Sequence, residues 1–103
     1  MEKAQKQVND FMEAQGLSFS LEARMLDLVS EVGELAKEVL KGSDYGTAPL
    51  LPGAGLEEEM GDCLFSLLAL CSATGLDAEK ALAAALEKYA SRAARTGQVG
   101  SGR

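Results

Sequence analysis

Glu31 and Glu34, and then after 24 intervening residues Glu59 and Asp62, form two acidic pairs, each spaced i, i+3. Three residues along an α-helix bring side chains to one face, so each pair presents two carboxylates side by side. The second pair interrupts a segment that is otherwise almost wholly apolar. Unpaired carboxylates are disfavoured there unless a counter-ion accompanies them. Four convergent oxygen ligands suit a hard cation, Mg²⁺ or Mn²⁺. Mg²⁺ keeps several waters when bound by carboxylates, and the oxygens of a polyphosphate complete its coordination.

Other chemistries are closed to this chain by what it lacks. It has no histidine, which removes Ser-His and Cys-His nucleophilic schemes, His-ligated zinc and the Glu-x-x-His di-iron site. It has no Gly-Lys-Ser/Thr phosphate loop. Residues 1–79 carry 5 basic and 15 acidic side chains, a balance that argues against a nucleic-acid surface. Residues 80–103 reverse the sign, with Lys80, Lys88, Arg92, Arg95 and Arg103 against Glu87. That end suits one small anion, or simply complements a helix C-terminus. The longest apolar stretch, Cys63–Ala73, is too short to span a membrane. Cys63 and Cys71 lie eight residues apart on one predicted helix, too far to bond to each other. Free thiols and no visible signal peptide lead to the expectation of a cytoplasmic protein.

The elements that must position the acids are helices. Ala, Leu and Glu dominate, and aromatics are only 5% of 103 residues, which favours helix over sheet. A short amphipathic helix is expected from Glu2 to Gln15, stopped by Gly16. Ser20 caps a second helix running to Lys41. Its apolar residues, Leu21, Met25, Leu28, Val29, Val32, Leu35, Ala36, Val39 and Leu40, make one broad stripe. Asp27, Glu31, Glu34 and Glu38 fall on the opposite side, which taken alone reads as a solvated face. A Gly- and Pro-rich connection joins Gly42 to Gly55, long for a helical bundle. The third helix, Leu56–Thr74, is apolar nearly all round and so central in the fold or sandwiched between subunits. Asp77 caps a fourth, Ala78–Arg95, and residues 96–103 read as a flexible tail. Short connections after the first and third helices favour antiparallel neighbours. Antiparallel pairing of the second and third helices would set Glu31 and Glu34 across from Glu59 and Asp62.

The segment LVSEVGELAKEV at 28–39, followed by LEEEMGDCLFSLLAL at 56–70, closely resembles the all-α nucleoside triphosphate pyrophosphohydrolases of the MazG type. Their motif is Glu-Glu-x-x-Glu, a spacer, then Glu-x-x-Asp, and the resemblance extends over roughly residues 20–95. It implies a single helical domain over 1–95, a four-helix bundle assembling as a dimer or a dimer of dimers, with sites at subunit interfaces. It implies Mg²⁺-dependent conversion of a (d)NTP and water to the monophosphate and pyrophosphate, in nucleotide-pool house-cleaning. By position, Glu31, Glu34, Glu59 and Asp62 would ligate the metal, and Glu34 or Glu38 would accept a proton from the attacking water. Lys88 and Arg92 match a Lys and Arg four apart that would neutralise substrate phosphates. One departure is Ser30, where many members carry a further glutamate; Glu38 or Glu58 would have to substitute. For the base, the available stacking groups are Phe11, Phe19, Tyr45 and Tyr89.

Two other functions fit the same residues. One is a non-catalytic helical interaction module with a solvated acidic stripe, which would gain no stability from Mg²⁺. The other is a related phosphoribosyl-nucleotide pyrophosphohydrolase, as in histidine biosynthesis, which product analysis separates from the first.

Overall fold

Four helices account for the described residues: α1 (Glu2–Ala14), α2 (Leu21–Gly42), α3 (Ala54–Ala73) and α4 (Ala78–Thr96). They are seen in a computed structural model that describes residues 1–17 and 20–96. The expected tail beyond Thr96, and Phe19 among the expected stacking groups, lie outside the described residues. The helix ends follow local chemistry. Ser20 Oγ accepts the Ala23 N–H at 3.1 Å to start α2, and Asp77 Oδ1 accepts from Glu79 and Lys80 at 2.9 and 3.2 Å to start α4. Gly16 and Gly75 follow α1 and α3 with φ of +65° and +73°, the left-handed turn that glycine adopts without strain. No single helix among the described residues is long and apolar enough to cross a membrane.

α2 and α3 form the main packed pair, and α1 packs chiefly on α3. α3 is therefore central, as its apolar character requires, with Ser66, Leu68 and Ala69 buried. The line of α2 turned toward α3 is Arg24, Leu28, Glu31, Leu35 and Glu38, each buried or half-buried. These positions recur every three or four residues, the spacing of a helix-packing seam. Every second one, up to Glu38, is charged. The broad apolar stripe is displaced to one side of the seam, and Met25, Val29 and Val32 are 47–57% exposed. The expectation of a solvated acidic face on α2 therefore does not hold at Glu31 and Glu38.

The connection between α2 and α3 folds back on the end of α2. Leu51 N–H donates to the Gly42 carbonyl at 3.0 Å, and a Cβ at Gly42 would stand only 2.7 Å from Leu50 Cδ1. The chain then passes through three consecutive left-handed residues, Asp44, Tyr45 and Gly46. α3 begins two residues earlier than expected, at Ala54.

The short connections do not produce the expected antiparallel neighbours. α3 and α4 meet at 104°. Gln5 of α1 explains the turn: its Nε2 donates to the Leu76 carbonyl at 2.8 Å and to Ser72 Oγ at 3.3 Å, while its Oε1 accepts the Ala78 N–H at 2.8 Å. One side chain thus satisfies the first N–H of α4 and the carbonyl before it, and ties both to α1. Ala78 is buried beneath this contact. Gln5→Ala is expected to lower stability by about 1–2 kcal/mol, because it strips the partner from the part-buried Ala78 N–H and breaks the link to the Leu76 carbonyl. Chemical denaturation of the two proteins checks this, and an unchanged midpoint would show that the Gln5 clamp contributes nothing.

Candidate metal centre

The seam between α2 and α3 brings carboxylates together. Glu31 from α2 and Glu59 and Asp62 from α3 each place a ligand oxygen so that all lie within 4.8 Å of one another. Glu31 and Glu59 are half-buried and Asp62 is exposed, so the group is anchored in the interface and open on one side. Glu34, one turn from Glu31, stays exposed outside this triad, near enough for its charge to act on Glu59.

Glu59 carries the tension of the site. Its Oε2 is buried and has no hydrogen-bond donor among the described residues. Burial pushes its carboxyl above the ordinary value of 4.5, and the charges of Asp62, Glu31, Glu34 and Glu58 push in the same direction. Cys63 lies on the same side of α3. Burial, followed by the charges of Glu31, Glu59 and Asp62, raises its thiol above 9.0, so it stays protonated and inert at neutral pH. An orphaned buried carboxylate oxygen facing two further carboxylates is a donor set suited to a divalent hard cation. The residues present therefore fit Mg²⁺ or Mn²⁺, with Glu31, Glu59 and Asp62 as the converging ligands and Glu34 beside them.

The other expected site residues lie elsewhere. Glu38 turns toward the start of α3 and pairs with Lys41 at 3.6 Å. Lys88 and Arg92 flank the Tyr89 ring on α4, 5.0 and 5.9 Å from its centroid. α4 packs on α1, and neither cation is among the charges acting on Glu59. Phe11 meets Phe65 edge to face at 6.0 Å between centroids, an α1–α3 contact that leaves Phe11 half exposed. Tyr45 projects from the left-handed segment and is 71% exposed.

Two residues of the seam escaped sequence reasoning. Arg24 is 6% exposed, with Nη2 donating to Asp27 Oδ2 at 2.8 Å. Cys63 shares the field of the acids. Both lie on the helical line of a recognised acid: Arg24 is two turns before Glu31, and Cys63 one turn after Glu59. That spacing was the available signal.

A family model described as the MazG nucleotide pyrophosphohydrolase domain matches residues 19–96. Neither a curated protein nor a solved structure matches the chain.

A carboxyl whose value is raised on folding holds a proton that the unfolded chain releases. Stability of the metal-free protein therefore falls as pH climbs from 4.5 through the raised value of Glu59, and the full penalty is present above it. Glu59→Gln removes that penalty. The metal-free variant is expected to melt at a higher temperature than wild type at pH 7 and to lose most of the pH dependence. Millimolar Mg²⁺ or Mn²⁺ should raise the melting temperature of wild type but not of the variant. Thermal melts across pH, with and without metal, check both; a metal-free variant less stable than wild type at pH 7 would contradict the electrostatic reading.

Proposed function

The chain belongs to the MazG nucleotide pyrophosphohydrolase family, and from that premise we propose that it hydrolyses nucleoside triphosphates, ribo- or deoxyribo-, to the monophosphate and pyrophosphate in a Mg²⁺-dependent reaction. The observation that carries this reading is the meeting of Glu31, Glu59 and Asp62 within 4.8 Å across the α2–α3 seam. House-cleaning of the nucleotide pool in the cytoplasm is the role such a reaction would serve.

When bound, Mg²⁺ supplies Lewis acidity toward the phosphate oxygens and lowers the pKa of a coordinated water. The protein's own residues do the rest. Glu31, Glu59 and Asp62 would hold the ion, with Glu34 at the open edge. Water attacks the α-phosphorus, its proton passes to a carboxylate, the bond from the α-phosphorus to the α–β bridging oxygen breaks, and pyrophosphate leaves with that oxygen. Glu34, exposed and adjacent to the triad, is placed to take the proton. Lys88 and Arg92 balance charge on the departing pyrophosphate.

Those cations sit on α4 and are not among the charges acting on Glu59, so the proposal assigns them to the site of a neighbouring copy in a homodimer or a dimer of dimers. The surface supports assembly. The chain exposes 7372 Å², against about 5,500 Å² for a compact monomer of its mass. Its radius of gyration is 16.4 Å, where about 13 Å is usual for this length. The uncovered surface includes the apolar stripe of α2 and Leu82, Leu86 and Tyr89 of α4, the composition of a permanent interface.

Incubation of the protein with each common NTP and dNTP plus Mg²⁺, followed by ion-exchange separation, should yield monophosphate and pyrophosphate. Asp62→Asn should lower turnover by at least about a hundredfold without loss of helicity. Arg92→Ala should also be impaired, and co-refolding it with Asp62→Asn should restore activity by pairing an intact acidic cluster with an intact cation. Wild-type turnover in Asp62→Asn would refute the assignment of the acids, and no gain on co-refolding would refute the shared site.

A further inference from the structure

Among the described glycines, Gly33 and Gly61 beside the acidic pairs have open space where a side chain would be. Gly55 does not. A Cβ there would stand 2.9 and 3.2 Å from the two carboxylate oxygens of Glu38 and 3.0 Å from its carboxyl carbon. Gly55 lies in the first turn of α3, and its backbone is not in the left-handed region. The crowding at Gly55 therefore comes from the carboxyl end of Glu38 and not from the chain conformation, and a side chain there would displace that carboxylate. The Glu38 side chain is only 27% exposed, and Lys41 from its own helix holds it at 3.6 Å. The first turn of α3 presents N–H groups without intrahelical acceptors and the positive end of the helix dipole, so a carboxylate is favoured against it.

The place of this contact along the seam gives it a consequence. Glu38 is seven residues after Glu31, and Gly55 is seven residues before Asp62. The helices run antiparallel, so the two couples lie on the same seam, about 10 Å apart. A slide of α3 by one residue would move Asp62 about 1.5 Å past Glu31 and break the fit of Glu38 on Gly55 at the same time. The triad itself cannot hold this register, because its charges repel one another.

We propose that Glu38 is a positioning residue: its carboxylate, packed into the space that a side chain at Gly55 would fill, sets the α2–α3 register that brings Glu31, Glu59 and Asp62 together. This rests on the reading of those acids as a metal site. It gives Glu38 a role distinct from proton transfer.

The test is Mn²⁺ binding to the full chain, read from the EPR signal of free Mn²⁺, with far-UV circular dichroism to verify helicity. Gly55→Ala should weaken binding by about tenfold, the scale seen when the support of a metal ligand is removed. Alanine otherwise favours a helix over glycine, so a loss in this variant points to the contact. Glu38→Asp in the Gly55→Ala background shortens the acid by one methylene and makes room for the new Cβ. It should recover affinity to within about threefold of wild type, a coupling that residues in contact display. Glu38→Asp alone leaves the seat unfilled and should also weaken binding by about tenfold, which keeps the test decisive if Gly55→Ala does not fold. Wild-type affinity in both single variants, or no recovery in a folded double variant, overturns the proposal. Absence of Mn²⁺ binding by wild type instead overturns the metal reading and the positioning role with it.

Discussion

Glu59 Oε2 is buried in the α2–α3 seam with no donor among the described residues to receive it, and the charges of Asp62, Glu31 and Glu34 press on the same carboxyl. Helix pairs normally place apolar side chains along such a seam, because contact there removes surface from water at no electrostatic cost. Here Leu28 and Leu35 alternate with Arg24, Glu31 and Glu38. Outside the triad, the connection folds Leu50 and Leu51 onto Gly42 at the end of α2, Glu38 lies close to Gly55, and Ser66 and Ala69 are buried further along α3. Rigid elements thus hold like charges close together, an arrangement that a divalent cation relieves.

Turning the acids inward turns the apolar stripe of α2 outward. Helix faces are fixed at about 100° per residue, so α2 cannot present Glu31 and Val32 to α3 together. The stripe that sequence periodicity would place in the core is left on the surface of a single chain. α4 adds to it by crossing α3 at 104° instead of lying back along it. Burial of these faces against other copies would complete a core that one chain lacks.

Much of this was legible in the sequence. Ser20, Asp77, Gly16 and Gly75 locate helix ends through short-range chemistry, and the structure shows the expected caps and turns at each. The i, i+3 acids Glu31/Glu34 and Glu59/Asp62 were legible, the second pair because a carboxylate in an apolar helix needs a reason, though the structure gathers only Glu31, Glu59 and Asp62. The side of α2 that meets α3 was legible from those acids but not from the apolar periodicity. Apolar periodicity identifies a face that avoids water, and it does not say whether the same chain or another covers it. The crossing of α4 was equally hidden, since it depends on one glutamine in α1, 73 residues from the N–H it caps. Gly55 looked like the end of a Gly- and Pro-rich connection, because its tight neighbour lies on another helix.

The most direct measurement is paramagnetic line broadening by substoichiometric Mn²⁺ in the amide NMR spectrum of the labelled protein. Amides around Glu31, Glu59 and Asp62 should broaden first, because Mn²⁺ relaxes nearby nuclei most strongly. Those around Asp10 and Glu13 of α1, equally acidic but outside the seam, should remain sharp. Uniform broadening of every acidic stretch, or none at the seam, would mean that the convergence of the three carboxylates is not a metal site.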